Sequence, residues 1–265
     1  MSFAEASAVE PAGEGRWTAE IQPRWDIAGA ANGGYLLSVA ARASALAADR
    51  PDPASVTAHF LAPASPGPVT IETEILKAGR RFTTVRAVMT SAEGRPLAAT
   101  LGSFTDLAEA AGVERVDAQP PELPPVEDCI PVEPTDTFPP PFMAQVELRL
   151  HPEDFGFGGP TSGVPRIRGW FRWREDEPLD TIGLLVATDA FPPTIFNANL
   201  PVAWTPTLEL TTHVRFAPHD DHEWLRCAFT TRFITGGFLE EDGELWDDKG
   251  RLMAQSRQLA LVPRG

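Results

Sequence analysis

Residues 188–218 read TDAFPPTIFNANLPVAWTPTLELTTHVRFAP. The stretch begins beside the acid Asp189, passes a pair of prolines and ends in an apolar run that is typical of a β-strand. Its last residues, TTHVRFAP, restate with one insertion the segment TAHFLAP at 57–63. The second half of the chain therefore repeats part of the first, and the positions where the repeat fails are informative.

The repeat extends to two further landmarks in the same order. The segment GRPLA at 94–98 matches GRLMA at 250–254, and the Gly79-Arg80 turn matches Gly236-Gly237. Three matches at a nearly constant spacing indicate a duplicated unit, because unrelated short matches would not keep one order. We expect an α+β fold of two tandem repeats, each with a long helix wrapped by a curved antiparallel sheet, and the two sheets paired edge to edge.

The first copy is predicted to contain one helix followed by four strands. The segment YLLSVAARASALAAD at 35–49 repeats its apolar residues at helical spacing, follows Asn32-Gly33-Gly34 and ends before Pro51. An earlier strand is predicted from Trp17 to Trp25. After the helix the apolar period becomes two, which predicts strands at 56–62, 69–76, 81–91 and 96–106.

In the second copy a helix is predicted from Pro178 to about Phe191, because proline suits a first helical turn and the pair at 192–193 stops the run. Three apolar residues share one helical face with Asp189: Ile182, Leu185 and Val186. A carboxylate in line with the core must be hydrogen-bonded and have an altered pKa, unless it lies at a frayed helix end and reaches solvent. Residues 35–42 of the first helix contain no acid, so the fold does not require one.

Two other polar residues distinguish the second copy. Thr207 begins a strand where the first copy has Pro53, and Gln258 lies on the last strand where the first copy has Gly102. Each also has an ordinary interpretation, as a β-branched residue at a strand start or as a core amide bonded to the backbone. Strict alternation places Thr207 on the face opposite the apolar residues of its strand, so a bulge or a late strand start is needed for Thr207 to meet Asp189.

The composition excludes several classes of partner. Among 265 residues, 37 acidic and 22 basic side chains give a formal charge of −15, which repels duplex DNA and anionic membrane surfaces. We therefore expect neither nucleic acid nor a membrane as a partner. The chain does not open with a basic segment followed by an apolar run, so we expect a cytoplasmic protein.

Neither a metal site nor a disulfide is expected. Cys129 and Cys227 are far apart and lack CxxC spacing. The segment HDDHE at 219–223 resembles a metal cluster, but it falls where a polar turn should join two strands. His59 and His213 occupy the same place in both copies, which favours a packing role over catalysis.

A proline-rich segment separates the two copies. Nine prolines fall between Pro120 and Pro141, and residues 107–141 show little periodicity, which indicates an extended surface linker with room for an edge strand. The predicted organisation is an N-terminal repeat at 1–106, the linker at 107–141, and a C-terminal repeat at 142–265 that carries the functional residues.

Four short motifs occur in a recognisable order: GGYLLSVAARA at 33–43, VATD at 186–189, PTLEL at 206–210 and QSRQLALV at 255–262. Together they resemble the double-hotdog thioesterases of the acyl-CoA thioesterase II (TesB-type) family. The resemblance implies a double hotdog that hydrolyses an acyl-CoA thioester to free acid and CoA without a cofactor. It also implies that Asp189, Thr207 and Gln258 hold the attacking water. Gly33 and Gly34, at a helix start, offer backbone N–H groups that suit a developing oxyanion of the bound substrate.

Two other functions stay open at this point. A double hotdog that binds an acyl thioester without hydrolysing it would share the pattern, and the stiff Pro192-Pro193 pair after Asp189 is compatible with such a degenerate site. A hotdog hydratase or dehydratase needs a histidine beside the acid, and neither His59 nor His213 lies near it in register. The sequence also leaves open the acyl chain, the carrier (CoA or acyl-carrier protein) and assembly into a homodimer or higher homo-oligomer.

Overall fold

In the part of the chain that the structure describes, one antiparallel sheet of fourteen strands runs through both halves. The computed structural model describes residues 1–135, 139–156, 161–200, 205–219 and 223–262. Three residues of the HDDHE segment, at 220–222, lie outside the described residues. Within these ranges no helix has the length and apolar character needed to cross a membrane.

The strands are β1 (Glu10–Pro11), β2 (Arg16–Ile21), β3 (Asp26–Ile27), β4 (Ala30–Ala31), β5 (Asp52–Phe60), β6 (Gly67–Ala78), β7 (Thr83–Ser91), β8 (Pro96–Thr105), β9 (Ile130–Pro131), β10 (Val146–Leu150), β11 (Arg166–Trp173), β12 (Thr207–Val214), β13 (Leu225–Thr230), β14 (Ile234–Thr235), β15 (Phe238–Trp246) and β16 (Leu252–Leu261). The α-helices are α1 (Phe3–Ala6), α2 (Gly33–Ala48) and α3 (Gly183–Ala187). Short 3₁₀ helices lie at Val126–Asp128, Pro141–Ala144, Pro152–Asp154 and Thr194–Asn197. The sheet order is β1-β2-β6-β7-β8-β5-β12-β16-β15-β13-β11-β10-β9, with β14 beside β15, and β3 and β4 pair separately.

Helix α2 is the centre of the first half. Its N-cap is Asn32, whose side chain accepts a hydrogen bond from the Tyr35 N–H at 2.9 Å, and Asp49 ends it in a left-handed conformation. Alanine and leucine cover nearly every face of the helix, and most of its residues are buried against the surrounding strands β5–β8. The predicted helix is confirmed with a start at Gly33, and the four strands predicted after it correspond to β5–β8 with shifted ends.

The second helix is much shorter than predicted. Helix α3 covers five residues, whereas the sequence pattern predicts a helix from Pro178 to Phe191, so the long helix expected in the second repeat is wrong. The side chain of Asp180 accepts a 2.6 Å hydrogen bond from the Gly183 N–H, as an N-cap residue does, so the helical turn begins after Asp180 and not at Pro178. The hydroxyl of Thr181 donates a 2.7 Å hydrogen bond to Oδ1 of Asp52 on β5. Both contacts lie at the start of the segment and fix where the helix begins.

The two halves meet through β5 and β12, which pair antiparallel. Thr57 lies opposite Thr211, and their hydroxyl oxygens are 2.8 Å apart although the residues are 154 positions apart along the chain. Val56 lies opposite Thr212 in the same ladder. The pairing is therefore centred on the Thr57–Thr211 contact, as a duplicated unit requires. The predicted edge-to-edge pairing of the two sheets is confirmed, and it covers both central edges.

The paired histidines do not pack in the core. His59 and His213 are both exposed, because they fall on the outer face of the two central strands. The predicted packing role is therefore wrong for both. The two cysteines, Cys129 and Cys227, are buried free thiols.

Candidate active site

Asp189 lies just beyond α3, where its backbone N–H donates to the Val186 carbonyl at 3.0 Å. Its Oδ2 accepts hydrogen bonds from the Gly34 N–H at 2.8 Å and from the side-chain amide of Asn32 at 3.0 Å. The same amide nitrogen also donates to the Asp189 carbonyl at 2.8 Å. The carboxyl group is thus docked at the N-terminus of α2, where free N–H groups and the helix dipole favour negative charge.

Burial is nevertheless the main effect on this group and raises the pKa of Asp189 to about 7, with a smaller contribution from the negative charge of Glu241. The N–H groups of Gly34 and Gly33 and the amide of Asn32 act in the opposite direction and lower the pKa. The hydrogen bonds from Gly34 and Asn32 both reach Oδ2. A carboxyl group with a pKa near neutral pH can take a proton from water and release it again.

Two glycines allow α2 to begin against α3. A Cβ on Gly34 would lie 2.7 Å from the Leu185 carbonyl oxygen and 2.9 Å from the Asp189 Cβ. A Cβ on Gly33 would lie 2.9 Å from the Asp189 Oδ2 and 2.9 Å from the ring of Phe60. The Gly34 N–H donates to Asp189 and the Gly33 N–H also lowers the pKa of that group, so both N–H groups are turned to the carboxyl group and not to a separate oxyanion site. Gly33 also lines the cavity described below.

Thr207 and Gln258 meet in a direct hydrogen bond, in which the Thr207 hydroxyl donates to the Gln258 Oε1 at 2.9 Å. The register of β12 against β16 shifts between Thr207 and Glu209, which is the bulge that the sequence predicts as one of two alternatives. A matching shift lies between Pro53 and Ser55 in β5. The bulge is therefore part of the repeated unit, and the second copy places a hydroxyl group on it.

The strand registers show which residues correspond in the two halves. Gln258 lies opposite Leu210, and Gly102 lies opposite Val56. In the first half, a Cβ placed at Gly102 would lie 2.8 Å from the ring of Phe104. In the first copy the ring of Phe104 therefore occupies the space that the side chain of Gln258 occupies in the second copy.

A further polar residue beside this pair, Glu241, is not predicted from the sequence. Its Oε1 accepts a 2.8 Å hydrogen bond from the Gln258 amide nitrogen, and its Oε2 accepts a 2.8 Å hydrogen bond from the Thr194 N–H. Burial raises the pKa of this carboxyl group. Glu241 lies opposite Gln258, whereas the first copy pairs Val85 with Gly102. A comparison of the two copies at this position is the signal that would have found it.

A cavity of about 940 Å³ brings these groups together. Asp189, Thr207, Gln258 and Glu241 all line it, and its described lining contains no other charged side chain. The rest of the wall is largely apolar and comes from both halves, with Leu36, Phe60, Met143, Phe191 and Leu239. Such a cavity suits an uncharged, apolar group with a polar reacting centre at one end.

Comparisons with known proteins give this arrangement a family. Residues 21–105 match the acyl-CoA thioesterase N-terminal domain, and residues 122–262 match the acyl-CoA thioesterase C-terminal domain. An uncharacterized protein of Mycobacterium tuberculosis H37Rv is 28% identical over 92% of this chain and 90% of its own length.

Solved structures extend the likeness to the whole chain. A Thermobifida fusca YX protein described as a candidate thioesterase II superposes with a TM-score of 0.89 at 34% identity, over 99% of this chain and 97% of that one. A hot dog fold protein of Alicyclobacillus acidocaldarius superposes with a TM-score of 0.87 at 21% identity, over 99% and 98% of the two chains, and shows the fold alone. The predicted double hotdog is confirmed. Since both halves match the two domains of one family in order, the chain belongs to the acyl-CoA thioesterase family of thioester hydrolases.

Proposed function

We propose that the chain hydrolyses an acyl-CoA thioester to free acid and CoA by direct attack of one water molecule. Asp189 is the general base, and Thr207 and Gln258 fix the same water. One observation carries the proposal: a carboxyl group with a pKa of about 7 and a hydrogen-bonded Thr207–Gln258 pair line one largely apolar cavity. An acyl chain fits such a wall, and the polar groups fit its thioester.

The reaction needs no covalent bond to the protein. The water oxygen bonds to the thioester carbonyl carbon while one water proton moves to Oδ1 of Asp189. The tetrahedral intermediate then collapses, the C–S bond breaks, and the CoA sulfur leaves with the proton that Asp189 holds. Fixing the water and the carbonyl at contact distance supplies a further part of the rate enhancement.

In this proposal Gly33 and Gly34 act through their backbone N–H groups and through their lack of side chains. The Gly34 N–H holds Oδ2 of Asp189, so that Oδ1 is the oxygen that faces the water. Gly33 lines the cavity, and its lack of a side chain lets Oδ2 of Asp189 and the ring of Phe60 lie against the start of α2. Both glycines therefore hold the base in this proposal, and Gly33 also borders the bound substrate.

Release of free thiol from a panel of acyl-CoA thioesters of different chain length tests the proposal. Asp189→Asn should lower kcat by about 10² or more, because asparagine still accepts the Gly34 hydrogen bond but cannot take the proton. The matched control is Asp180→Asn, which changes a half-exposed carboxylate at the other end of α3. This control should keep wild-type kcat.

Turnover by Asp189→Asn within about a factor of three of the wild type would rule out the base assignment. No thiol release from any thioester by the wild type, together with measurable acyl-CoA binding, would indicate a double hotdog that binds acyl thioesters without hydrolysing them.

A further inference from the structure

Glu241 is a buried carboxylate that the proposed hydrolysis does not use. It is 5% exposed and lies on β15, directly opposite Gln258 of the neighbouring strand β16. Burying a carboxylate is costly, and the first copy places Val85 at the same position. The fold therefore does not need an acid there, and a reason for it should lie in the site.

The hydrogen bonds of Glu241 have a fixed direction. The Thr194 N–H can only donate, so Oε2 of Glu241 must accept. The Gln258 amide nitrogen lies 2.8 Å from Oε1 and can only donate, so Oε1 accepts as well, as it does in an ionised carboxylate. The carbonyl oxygen of Gln258 then faces Thr207, whose hydroxyl donates to it at 2.9 Å.

This direction decides what the site offers to a water. A threonine hydroxyl has a single hydrogen, and Thr207 gives it to Gln258. On its cavity side the Thr207 oxygen therefore offers only lone pairs, and so does ionised Asp189. A water that contacts both Thr207 and Asp189 in this cavity would donate both of its hydrogens to the protein, and its own lone pair would be left for the thioester carbonyl.

We infer that Glu241 is a positioning residue whose carboxylate sets the direction of the Thr207–Gln258 hydrogen bond, so that the site accepts both hydrogens of the attacking water. The inference rests on the proposed hydrolysis. Among the described residues, the charged groups near Glu241 are Asp189, which lines the same cavity, and Glu240, its neighbour on β15.

Glu241→Gln tests the direction of the chain of hydrogen bonds, because it keeps the size of the side chain and reverses its bond to Gln258. The Thr194 N–H still requires an acceptor, so the new carbonyl oxygen faces Thr194 and the new NH₂ group faces Gln258. Gln258 must then turn its NH₂ group toward Thr207, which frees the Thr207 hydrogen to point at the lone pair of the water. We expect kcat to fall about tenfold or more with little change in KM.

A second variant separates this role from packing. Glu241→Met removes both acceptors and leaves Gln258 free to take either orientation, so kcat should fall less than in Glu241→Gln. Packing alone predicts the opposite order, because glutamine resembles glutamate more closely than methionine does. Glu244→Gln makes the same charge change on the other face of β15 and should keep wild-type kcat.

The order of kcat, wild type above Glu241→Met above Glu241→Gln, supports the inference. Wild-type kcat in Glu241→Gln, the reverse order of the two variants, or unfolding of both at the assay temperature overturns it. Asp189→Asn is assayed in the same series, so that failure of the Glu241 inference can be distinguished from failure of the proposed hydrolysis. Thiol release that depends on Asp189 keeps the hydrolysis whatever the Glu241 variants do, whereas no release by the wild type rejects both proposals.

Discussion

Two opposing effects act on the carboxyl group of Asp189. Loss of water favours its neutral form, and the donors at the start of α2 favour its charged form. The balance leaves the pKa at about 7, so the group changes charge near neutral pH. The side-chain amide of Asn32 connects the start of α2 to Asp189. Its oxygen caps α2, and its nitrogen donates to the Asp189 carboxyl group.

This pKa predicts how the hydrolysis depends on pH. Below a pH of about 7, Asp189 is protonated and cannot take a proton from water, so kcat/KM should fall about tenfold per pH unit. Above that pH, kcat/KM should reach a plateau. In Glu241→Gln, a negative charge that raises the pKa of Asp189 is absent, so the fall should move to lower pH.

Profiles of kcat/KM against pH for the wild type and Glu241→Gln measure both effects. The assignment of Asp189 as the base would be contradicted by a wild-type profile that stays flat down to about pH 5. An unchanged profile in the variant would show that Glu241 does not act on the charge of Asp189.

Among the secondary-structure elements, the junction of α2 with α3 does most to position the site. The two helices approach so closely that a Cβ on Gly34 would lie 2.7 Å from the Leu185 carbonyl oxygen and 3.1 Å from the Val186 Cα. The same approach lets the first free N–H groups of α2 reach Asp189. A short α3 is sufficient for this, because only its last turn has to present the carboxyl group.

Gly34→Ala should therefore disturb both stability and activity. Alanine favours a helix by about 1 kcal/mol over glycine, but its Cβ would lie 2.7 Å from the Leu185 carbonyl oxygen, which cannot yield without moving α3. We expect a loss of about 1–3 kcal/mol in the free energy of unfolding, measured by urea denaturation, together with a lower kcat.

The control for this prediction is Gly112→Ala, because a Cβ at Gly112 would meet nothing within 4 Å. The control should change neither the free energy of unfolding nor kcat. Wild-type stability in Gly34→Ala would show that the junction tolerates a side chain, and the close approach of the two helices would then not account for the glycine.

At the scale of the whole molecule, one continuous sheet carries two copies of a unit, and the second copy has polar residues at the positions of Gln258 and Glu241 where the first copy is apolar. The first copy fills the corresponding positions with Val85 and with the ring of Phe104. We propose a division into residues 1–106, 107–141 and 142–265, as the sequence pattern predicts. Strand β9 of the linker pairs with β10, so the linker adds an edge strand to the second half.

The overall charge predicts the salt dependence of substrate binding. The protein carries a formal charge of −15, and the charged side chains of the described cavity lining are both acids. Added salt screens their repulsion of the CoA phosphates, so KM for an acyl-CoA should fall about two- to fivefold between about 20 and 200 mM NaCl.

The matched substrate is the same acyl group on N-acetylcysteamine, which lacks the phosphates. Its KM should not change with salt. A rise in KM for the acyl-CoA over the same range would indicate a local group of cations that attracts CoA, and it would contradict the prediction.

The sequence by itself determined the duplicated architecture, the helix α2 and the strands that follow it. These features depend on local periodicity and on a repeat that is still recognisable in the amino-acid sequence. It also singled out Asp189, Thr207 and Gln258 as polar residues that the first copy lacks. Their roles stay predictions, although the fold places all three around one cavity.

Only the tertiary structure decided the length of α3, the engagement of the Gly34 N–H by Asp189, and the place of Glu241 beside Gln258. The physical reason is distance along the chain. The side chains of Asp180 and Asn32 can form hydrogen bonds with groups that are near or far along the chain. Strand pairing determines which of the distant groups are within reach. Periodicity reports which face of an element is buried, but it does not report what the buried polar groups meet there.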